Sequence, residues 1–211
     1  MTSFAEQYRP TSLAEFIGNA KAVQAAQFYM KRGLGGLAFW ISGGTGLGKT
    51  TLARILAASV ADPLSITEFD SADQLNQDAL NDMSLSMYTL GLGRPGRVFI
   101  INEAHGLSAR IMRQLLGLLE RLPNHALFIF TTTRFGERLL FEDIDGRPLV
   151  DRCKSIFLTS QALCEPFARR LVEVAAREVV SDGNNSLRAA LDWLGTPQSM
   201  TYLTPNAEAA A

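Results

Sequence analysis

A glycine-rich segment that ends in a lysine and a threonine has the composition of a phosphate-binding loop. Residues 43–50 read Gly-Gly-Thr-Gly-Leu-Gly-Lys-Thr and fit the pattern G-x-x-x-x-G-K-[ST]. Glycines let the backbone N–H groups wrap phosphate oxygens, and the start of a following helix favours an anion. Lys49 would reach the β- and γ-phosphates, and Thr50 would ligate Mg²⁺. The alternative interpretation is a glycine-rich turn without a ligand.

A second apolar run ends in two polar residues that suit nucleotide hydrolysis. Residues 98–105 read Val-Phe-Ile-Ile-Asn-Glu-Ala-His. At this strand end in P-loop ATPases, one acidic residue holds the Mg²⁺ shell and the next polarises the attacking water. Asn102 takes the first place, and its amide lacks the negative charge that offsets Mg²⁺. Glu103 is the candidate base, and a strand that merely ends in polar residues is the alternative.

Three more residues are candidates, each with an ordinary alternative role. Thr133 ends the run Phe-Ile-Phe-Thr-Thr-Thr, and hydroxyls at the carboxyl end of a strand point into the ligand crevice. Threonine is also simply a good strand former. Arg152 suits an arginine finger offered to a neighbour's phosphate. Solvated surface charge is the alternative for Arg152 and equally for Arg188.

Strands and helices that alternate along the chain must position these residues, which predicts an α/β fold with a mainly parallel sheet. The strands are nearly continuous apolar runs, as a sheet covered on both faces requires. We predict strands over 37–42, 66–69, 97–102, 127–132 and 155–159, and helices over Ala20–Arg32, 49–61, 77–88 and 109–121.

The pattern changes to helices alone after residue 159. One long or two short helices fit 160–180, and another fits 186–194. We therefore expect an α/β nucleotide-binding domain over 1–159, a short helical lid domain over 160–200 and a disordered tail over 201–211.

Composition excludes several classes of protein. The chain has 211 residues, 47% of them hydrophobic and 19% charged, with a net charge of −1. A disordered chain would combine low hydrophobicity with high net charge. The longest apolar runs are far shorter than the roughly 20 residues of a membrane span. The polar, charged start also lacks the apolar core of a secretory signal, so a cytoplasmic location is expected.

The order of the motifs resembles the AAA+ ATPase superfamily and, within it, the clamp-loader subunits that open sliding clamps at primed DNA. The resemblance implies a five-stranded parallel P-loop NTPase sheet followed by a small C-terminal helical lid domain. It rests on Tyr8-Arg9-Pro10, Phe16-Ile17-Gly18, the glycine-rich loop, Asn102-Glu103-Ala104-His105, Thr132-Thr133, Asp151-Arg152-Cys153 and Leu187-Arg188.

The resemblance implies a role for each matching residue. Glu103 would be the catalytic base, Thr133 sensor 1, Arg152 the arginine finger and Arg188 sensor 2 on the lid; Asn102 and Thr50 would occupy the metal site. The adenine pocket would be lined by Tyr8, Arg9, Pro10, Ile17 and Gly18. The ATP phosphates would be held by Gly43, Gly44, Thr45, Gly46, Leu47, Gly48, Lys49, Thr50 and Thr51.

Four features depart from the family pattern. Asn102 replaces the metal-site aspartate, and Asp151 replaces the serine that precedes the finger. The stretch 134–150 is longer than expected between sensor 1 and the finger. The lid is short, and neither the C-terminal collar helices nor the zinc module of bacterial clamp loaders is expected in this sequence.

The expected function is ATP hydrolysis with Mg²⁺ between subunits of an oligomer that remodels a replication or DNA-repair assembly. Self or homologous subunits would form a ring or spiral, with a sliding clamp and primed DNA as further partners and no membrane. One alternative is an ATP-gated scaffold with little hydrolysis, favoured by Asn102. A second is a branch-migration-type motor without its DNA-binding domain. A basic DNA-contacting face, or else solvated charge, is formed by Arg94, Arg97, Arg110, Arg113 and Arg121.

Overall fold

A computed structural model of the chain describes residues 6, 8–91, 93–133, 147–159, 170, 173 and 174. Contacts divide the chain into two units: Ala20–Thr159, and Met1–Asn19 together with Ser160–Ala211. The lid predicted over 160–200, its helix over 186–194 and the tail over 201–211 fall almost wholly outside the described residues. The domain boundaries expected from the sequence stay a prediction. No helix among the described residues is long and apolar enough to cross a membrane.

The larger unit is built on one sheet of five parallel strands. Their spatial order is β2-β3-β4-β1-β5, so β1 lies between two strands that come much later in the sequence. Leu37 of β1 is in register with Leu127 of β4, and Phe39 with Lys154 of β5. The strands are β1 (Leu37–Gly43), β2 (Ile66–Phe69), β3 (Arg97–Ile101), β4 (Ala126–Thr132) and β5 (Lys154–Leu158).

Helices alternate with the strands, and capping residues explain where several of them begin and end. Gly33, at φ +94°, follows the first helix and allows the left-handed turn that stops it. The side chains of Asn76 and Ser108 accept N–H bonds at the starts of the third and fourth helices. The helices are α1 (Ala20–Arg32), α2 (Lys49–Val60), α3 (Gln77–Ser86), α4 (Ala109–Leu119) and α5 (Arg147–Asp151).

The sheet is covered on both faces, and the two-residue period of the strands divides their side chains between two cores. Phe128 and Phe130 of β4 belong to one apolar cluster, together with Leu80 of α3 and Leu115 of α4. Helix α2 packs on β1, β3 and β4. All seven residues of β4 are buried, as expected for a central strand of a two-sided sheet.

The fold class predicted from the sequence is confirmed. Each strand begins and ends within one residue of its predicted bounds, and α1 matches its prediction. Three helices are shorter than predicted, since α2 ends at Val60 rather than at 61, α3 at Ser86 rather than at 88, and α4 at Leu119 rather than at 121. The short helix α5 was not predicted, because five residues that include Pro148 show no helical period.

Candidate functional site

The sheet order places the carboxyl ends of β1, β3 and β4 along one edge, and the candidate residues follow these ends. The glycine-rich loop begins at Gly43, the last residue of β1, while Asn102 and Glu103 follow β3, and Thr132 ends β4. In open parallel sheets, ligands bind in the crevice outside the carboxyl ends of the strands. The site is therefore at the edge where such a fold binds nucleotides.

Two glycines show why the loop has its composition. Gly48 adopts φ +88° immediately before α2. This left-handed conformation is strained for any residue that has a side chain, but not for glycine. A Cβ atom at Gly43 would lie 2.7 Å from the backbone oxygen of Leu158 in β5, closer than real Cβ contacts come. The loop can therefore turn sharply between β1 and α2, and the helix start that follows it favours an anion.

Lys49, the first residue of α2, is 7% exposed. Its ammonium donates a hydrogen bond to the backbone oxygen of Gly44 at 2.9 Å, across the loop. Burial lowers the pKa of Lys49, and the negative charge of Glu103 partly opposes this shift. A desolvated ammonium with one neutral acceptor gains strongly from a phosphate placed nearby, because charge-assisted hydrogen bonds are the stronger ones.

Asn102 joins the phosphate loop to the ends of two strands. Its Oδ1 accepts a hydrogen bond from the Thr50 hydroxyl at 3.1 Å and another from the Thr131 hydroxyl at 2.9 Å. Asn102 is 6% exposed, and its backbone N–H donates to the oxygen of Phe69 at 2.9 Å. The two predicted metal-site residues, Thr50 and Asn102, are thus in direct contact.

The Glu103 carboxylate lies between a histidine and a threonine. Its Oε2 is 3.4 Å from the Thr133 hydroxyl, which donates to it, and 3.2 Å from Nδ1 of His105. The backbone of Glu103 is left-handed at φ +50°, which is uncommon for a residue with a side chain and is frequent at functional sites. The Thr132 hydroxyl lies 3.4 Å from the same Nδ1. The predicted base and the predicted sensor 1 residue are therefore neighbours.

These oxygen donors fit a magnesium ion that is held together with a nucleotide. Mg²⁺ prefers oxygen ligands and usually keeps several waters, with substrate phosphates and only one or two protein groups completing its shell. The Thr50 hydroxyl oxygen and the Asn102 amide oxygen, which are 3.1 Å apart, are oxygen ligands of that kind. Among the described residues, no group of three or more His, Cys, Asp or Glu side chains could hold a metal ion.

Of the remaining predicted residues, one pairs with a residue outside this cluster, five belong to the other unit and one lies outside the described residues. Arg152 forms an ion pair with Glu120 at 3.0 Å, and Arg188 lies outside the described residues. The predicted adenine-pocket residues, Tyr8, Arg9, Pro10, Ile17 and Gly18, belong to the unit that contains Met1–Asn19. Within that unit, Arg9 forms an ion pair with Glu6 at 2.7 Å.

The five arginines of the predicted basic face have partners within the chain. Arg94 contacts Asp62 and the backbone oxygen of Ala58. Arg97 contacts Thr89, Arg110 contacts Gln77 and Arg121 contacts the backbone oxygen of Gly117, and Arg113 also has a partner. These contacts neither require nor exclude DNA, so the basic face stays a prediction.

Two charged residues beside the site were not predicted. Glu68 of β2 accepts a hydrogen bond from the Asn102 amide nitrogen at 2.8 Å and pairs with Arg54 of α2 at 2.8 Å. In the sequence, Glu68 lies between Thr67 and Phe69 in a four-residue strand, which is too short for a period that would show which face it lies on. Its place one residue before the end of β2 puts it near the carboxyl edge of the sheet, but nothing in the sequence identifies its partners.

Sequence comparison agrees with this geometry. Residues 39–161 match the ATPase family associated with various cellular activities (AAA). A DNA polymerase III subunit gamma/tau of Mycoplasma pneumoniae is 24% identical over 203 residues, which cover 86% of this chain and 29% of that protein. A DNA polymerase III subunit gamma of Buchnera aphidicola is 28% identical over 173 residues, which cover 71% and 45%. The chain thus spans less than half the length of these curated relatives.

Solved structures share the fold. The Thermotoga maritima RuvB Holliday junction branch migration motor superposes with a TM-score of 0.56 at 25% identity, covering 83% of this chain and 55% of that one. A DNA polymerase III gamma subunit-related protein of Thermotoga maritima has a TM-score of 0.56 at 13% identity, covering 85% and 60%, which shows the fold alone. Since the family match covers more than half of the residues, the chain belongs to the ATPase family associated with various cellular activities (AAA) and is similar to DNA polymerase III gamma subunits.

Proposed function

We propose that this chain binds Mg-ATP at residues 43–51 and hydrolyses it within an oligomer, as a clamp-loader-like ATPase that remodels a replication or DNA-repair assembly. One observation carries the proposal: the Thr50 hydroxyl lies 3.1 Å from Asn102, which precedes the candidate base Glu103. The phosphate loop and the candidate base thereby share one edge of the sheet. Membership of an ATPase family and similarity to DNA polymerase III gamma subunits support the same function.

In this proposal, backbone N–H groups of the loop and of the start of α2 bind the phosphates, and Lys49 neutralises part of their charge. Thr50 and Asn102 would hold Mg²⁺, which supplies positive charge at the phosphate oxygens when it is bound. The buried Lys49 is already placed by its 2.9 Å bond to Gly44, so little side-chain entropy is lost when the phosphate replaces that partner.

Glu103 is the group that would take a proton from the attacking water. Its left-handed backbone and its contacts with Thr133 and His105 restrict where its carboxylate can lie. A base with few accessible positions loses little entropy in the reaction, and Thr133 is close enough to hold the same water or the terminal phosphate.

The oligomer enters the proposal through Arg152, which is paired with Glu120 on its own chain. As an arginine finger, Arg152 of one subunit would act on ATP held by the next, through a heterologous interface that closes into a ring or spiral. Arg188 would approach the same phosphates from the lid, and Tyr8 to Pro10 with Ile17 and Gly18 would contact the adenine. A sliding clamp and primed DNA would be the assembly's further partners.

Steady-state ATP turnover with Mg²⁺, measured over a range of protein concentrations with and without primed DNA, tests the proposal. A motor that uses Arg152 between subunits turns over ATP at a specific rate that rises steeply with concentration and with DNA. A specific rate that is independent of concentration would contradict the shared site.

Mixing two inactive variants gives a sharper test of the shared site. Lys49→Ala subunits cannot hold ATP but still offer Arg152, whereas Arg152→Ala subunits hold ATP but offer no finger. Each variant alone should turn over little ATP, and an equimolar mixture should recover part of the wild-type rate at its mixed interfaces. No recovery, although both variants assemble with the wild-type chain, would place Arg152 outside the ATP site.

A scaffold that binds ATP without turning it over is the second candidate, and one observation favours it. Asn102 is neutral, and its amide oxygen already accepts bonds from Thr50 and Thr131. If ATP binds tightly in the assembled protein while turnover stays at background with DNA present, the scaffold is the correct function.

A further inference from the structure

Four side chains connect the phosphate loop to the edge of the sheet through a closed series of polar contacts. Thr50 donates to Oδ1 of Asn102 at 3.1 Å, and Nδ2 of Asn102 donates to Oε1 of Glu68 at 2.8 Å. The second carboxylate oxygen of Glu68 accepts from Nε of Arg54 at 2.8 Å. Arg54 lies one turn after Thr50 on α2, so the series returns to the helix on which it started.

Glu68 decides which end of the Asn102 amide faces the loop. A carboxylate can only accept hydrogen bonds, so the amide must turn its NH₂ group toward Glu68. The amide oxygen then faces Thr50, whose hydroxyl can serve as donor. With a neutral side chain at 68 that also donates, either orientation of the amide would satisfy the contacts, and the nitrogen could replace the oxygen beside Thr50.

Glu68 also carries a negative charge, whereas the side chain at position 102 is neutral. Its side chain is 19% exposed, and one amide group separates its carboxylate from Thr50. Since the effective dielectric of such a partly buried place is well below that of water, a charge at this distance still acts on a cation held at Thr50. Arg54 offsets only part of it, because its own side chain is 37% exposed and so partly solvated.

We propose that Glu68 is a positioning residue for the magnesium site, which orients the Asn102 amide and supplies the negative charge that Asn102 lacks. Glu68 and Asn102 then form one functional unit, in which the negative charge lies one side chain farther from the metal than it would with an aspartate at position 102. This inference rests on the proposed binding of Mg-ATP at residues 43–51. Outer groups that orient metal ligands typically change metal affinity by about 10- to 100-fold when they are replaced.

The unit makes a specific prediction for Asn102→Asp, the obvious restoration of a metal-site carboxylate. The substitution would place a second carboxylate within about 3 Å of Glu68, and like charges at that distance repel strongly. We expect this single change to lower the Tm by roughly 4–10 °C. In the double variant Glu68→Gln with Asn102→Asp, the amide at position 68 can donate to the carboxylate at position 102, so the pair is restored with donor and acceptor exchanged. The double variant should recover at least half of the lost Tm.

Magnesium dependence supplies the second measurement. The ratio of the ADP dissociation constants without and with Mg²⁺ should fall about tenfold in Glu68→Gln, while ADP affinity in EDTA stays unchanged. Glu120→Gln is the matched control, because it also removes a carboxylate from an arginine pair. The control should leave the magnesium ratio as in the wild type.

The outcomes separate this inference from the proposed function. An Asn102→Asp variant as stable as the wild type, or a double variant no more stable than Asn102→Asp, would overturn the coupling of the two residues. An unchanged magnesium ratio in Glu68→Gln would overturn its effect on the metal. If the wild-type chain binds no nucleotide, the proposed function fails, and the unfolding temperatures alone still decide whether Glu68 and Asn102 act as a unit.

Discussion

The guanidinium of Arg152 lies 3.0 Å from the carboxylate of Glu120, and the pair joins the ends of two helices. Glu120 directly follows α4, and Arg152 directly follows α5. About half of each side chain is exposed, 52% for the arginine and 47% for the glutamate. Exposed ion pairs contribute little to stability, so Arg152 can leave Glu120 at a small cost in free energy.

Glu120→Gln tests whether this pair competes with a neighbouring subunit for Arg152. The change should alter the free energy of unfolding by less than about 1 kcal/mol. If Arg152 acts between subunits, the removal of its partner on the same chain should shift the concentration dependence of ATP turnover to lower protein concentrations. Arg152→Ala in the same assay should abolish turnover. Identical concentration curves for Glu120→Gln and the wild type would show that the pair does not restrain Arg152.

Glu103→Gln separates nucleotide binding from hydrolysis. Gln keeps the size of the side chain and can accept from Thr133, but it cannot take a proton from water, so turnover should fall by roughly 10²- to 10⁴-fold. ATP affinity, measured by titration calorimetry, should remain within a few-fold of the wild type. Turnover that is unaffected by this change would remove Glu103 from the role of base.

Two glycine substitutions should shift stability in opposite directions. Gly43→Ala forces a Cβ atom to within 2.7 Å of the Leu158 oxygen, so we expect a loss of about 1–3 kcal/mol. Gly117 lies within α4, where an added Cβ atom would meet nothing within 4 Å. Gly117→Ala should therefore stabilise the protein by about 0.5–1 kcal/mol through helix propensity. Urea unfolding measures the change in the free energy of unfolding for each variant. Equal changes in the two variants would contradict the described contacts.

Cys153 should resist alkylation in the folded protein. Its side chain is buried, its thiol donates to the Leu149 oxygen at 3.2 Å, and burial raises its pKa from 9.0 to about 12. In a Cys164→Ser variant, which leaves Cys153 as the only thiol, iodoacetamide at pH 8 should react at least about a hundredfold more slowly than in urea. Rapid labelling of the native protein would show that the thiol is exposed.

The same raised pKa predicts how stability changes with pH. Below pH 9.0 the thiol is neutral in both the folded and the unfolded chain, and its contribution is fully present. Between pH 9.0 and about 12 the unfolded chain loses this proton first, so the contribution falls as the pH rises. Cys153→Ala should remove this part of the alkaline loss, and Tm values of both proteins across that range measure it.

The sheet and the phosphate loop could be predicted because their signals are local. Apolar runs mark the buried strands, and residues 43–50 carry their chemistry in a contiguous motif. The contacts of Glu68 could not be predicted, because they depend on β2 lying beside β3 and on Arg54 of α2 reaching the end of β2. A glutamate in a four-residue strand gives no sign in the sequence that a helix residue and an amide will be its partners.

The position of β1 in the sheet has a consequence for how the chain is synthesised. Its two neighbours are β4 and β5, so Leu37 has no strand partner until Leu127 has left the ribosome. Until then the apolar side chains of β1, including Phe39 and Ile41, have an incomplete core, and both edges of the strand are open to pairing with other chains. The nucleotide loop therefore gains its strand support late in synthesis, and a nascent chain that stalls before β4 would be prone to aggregate.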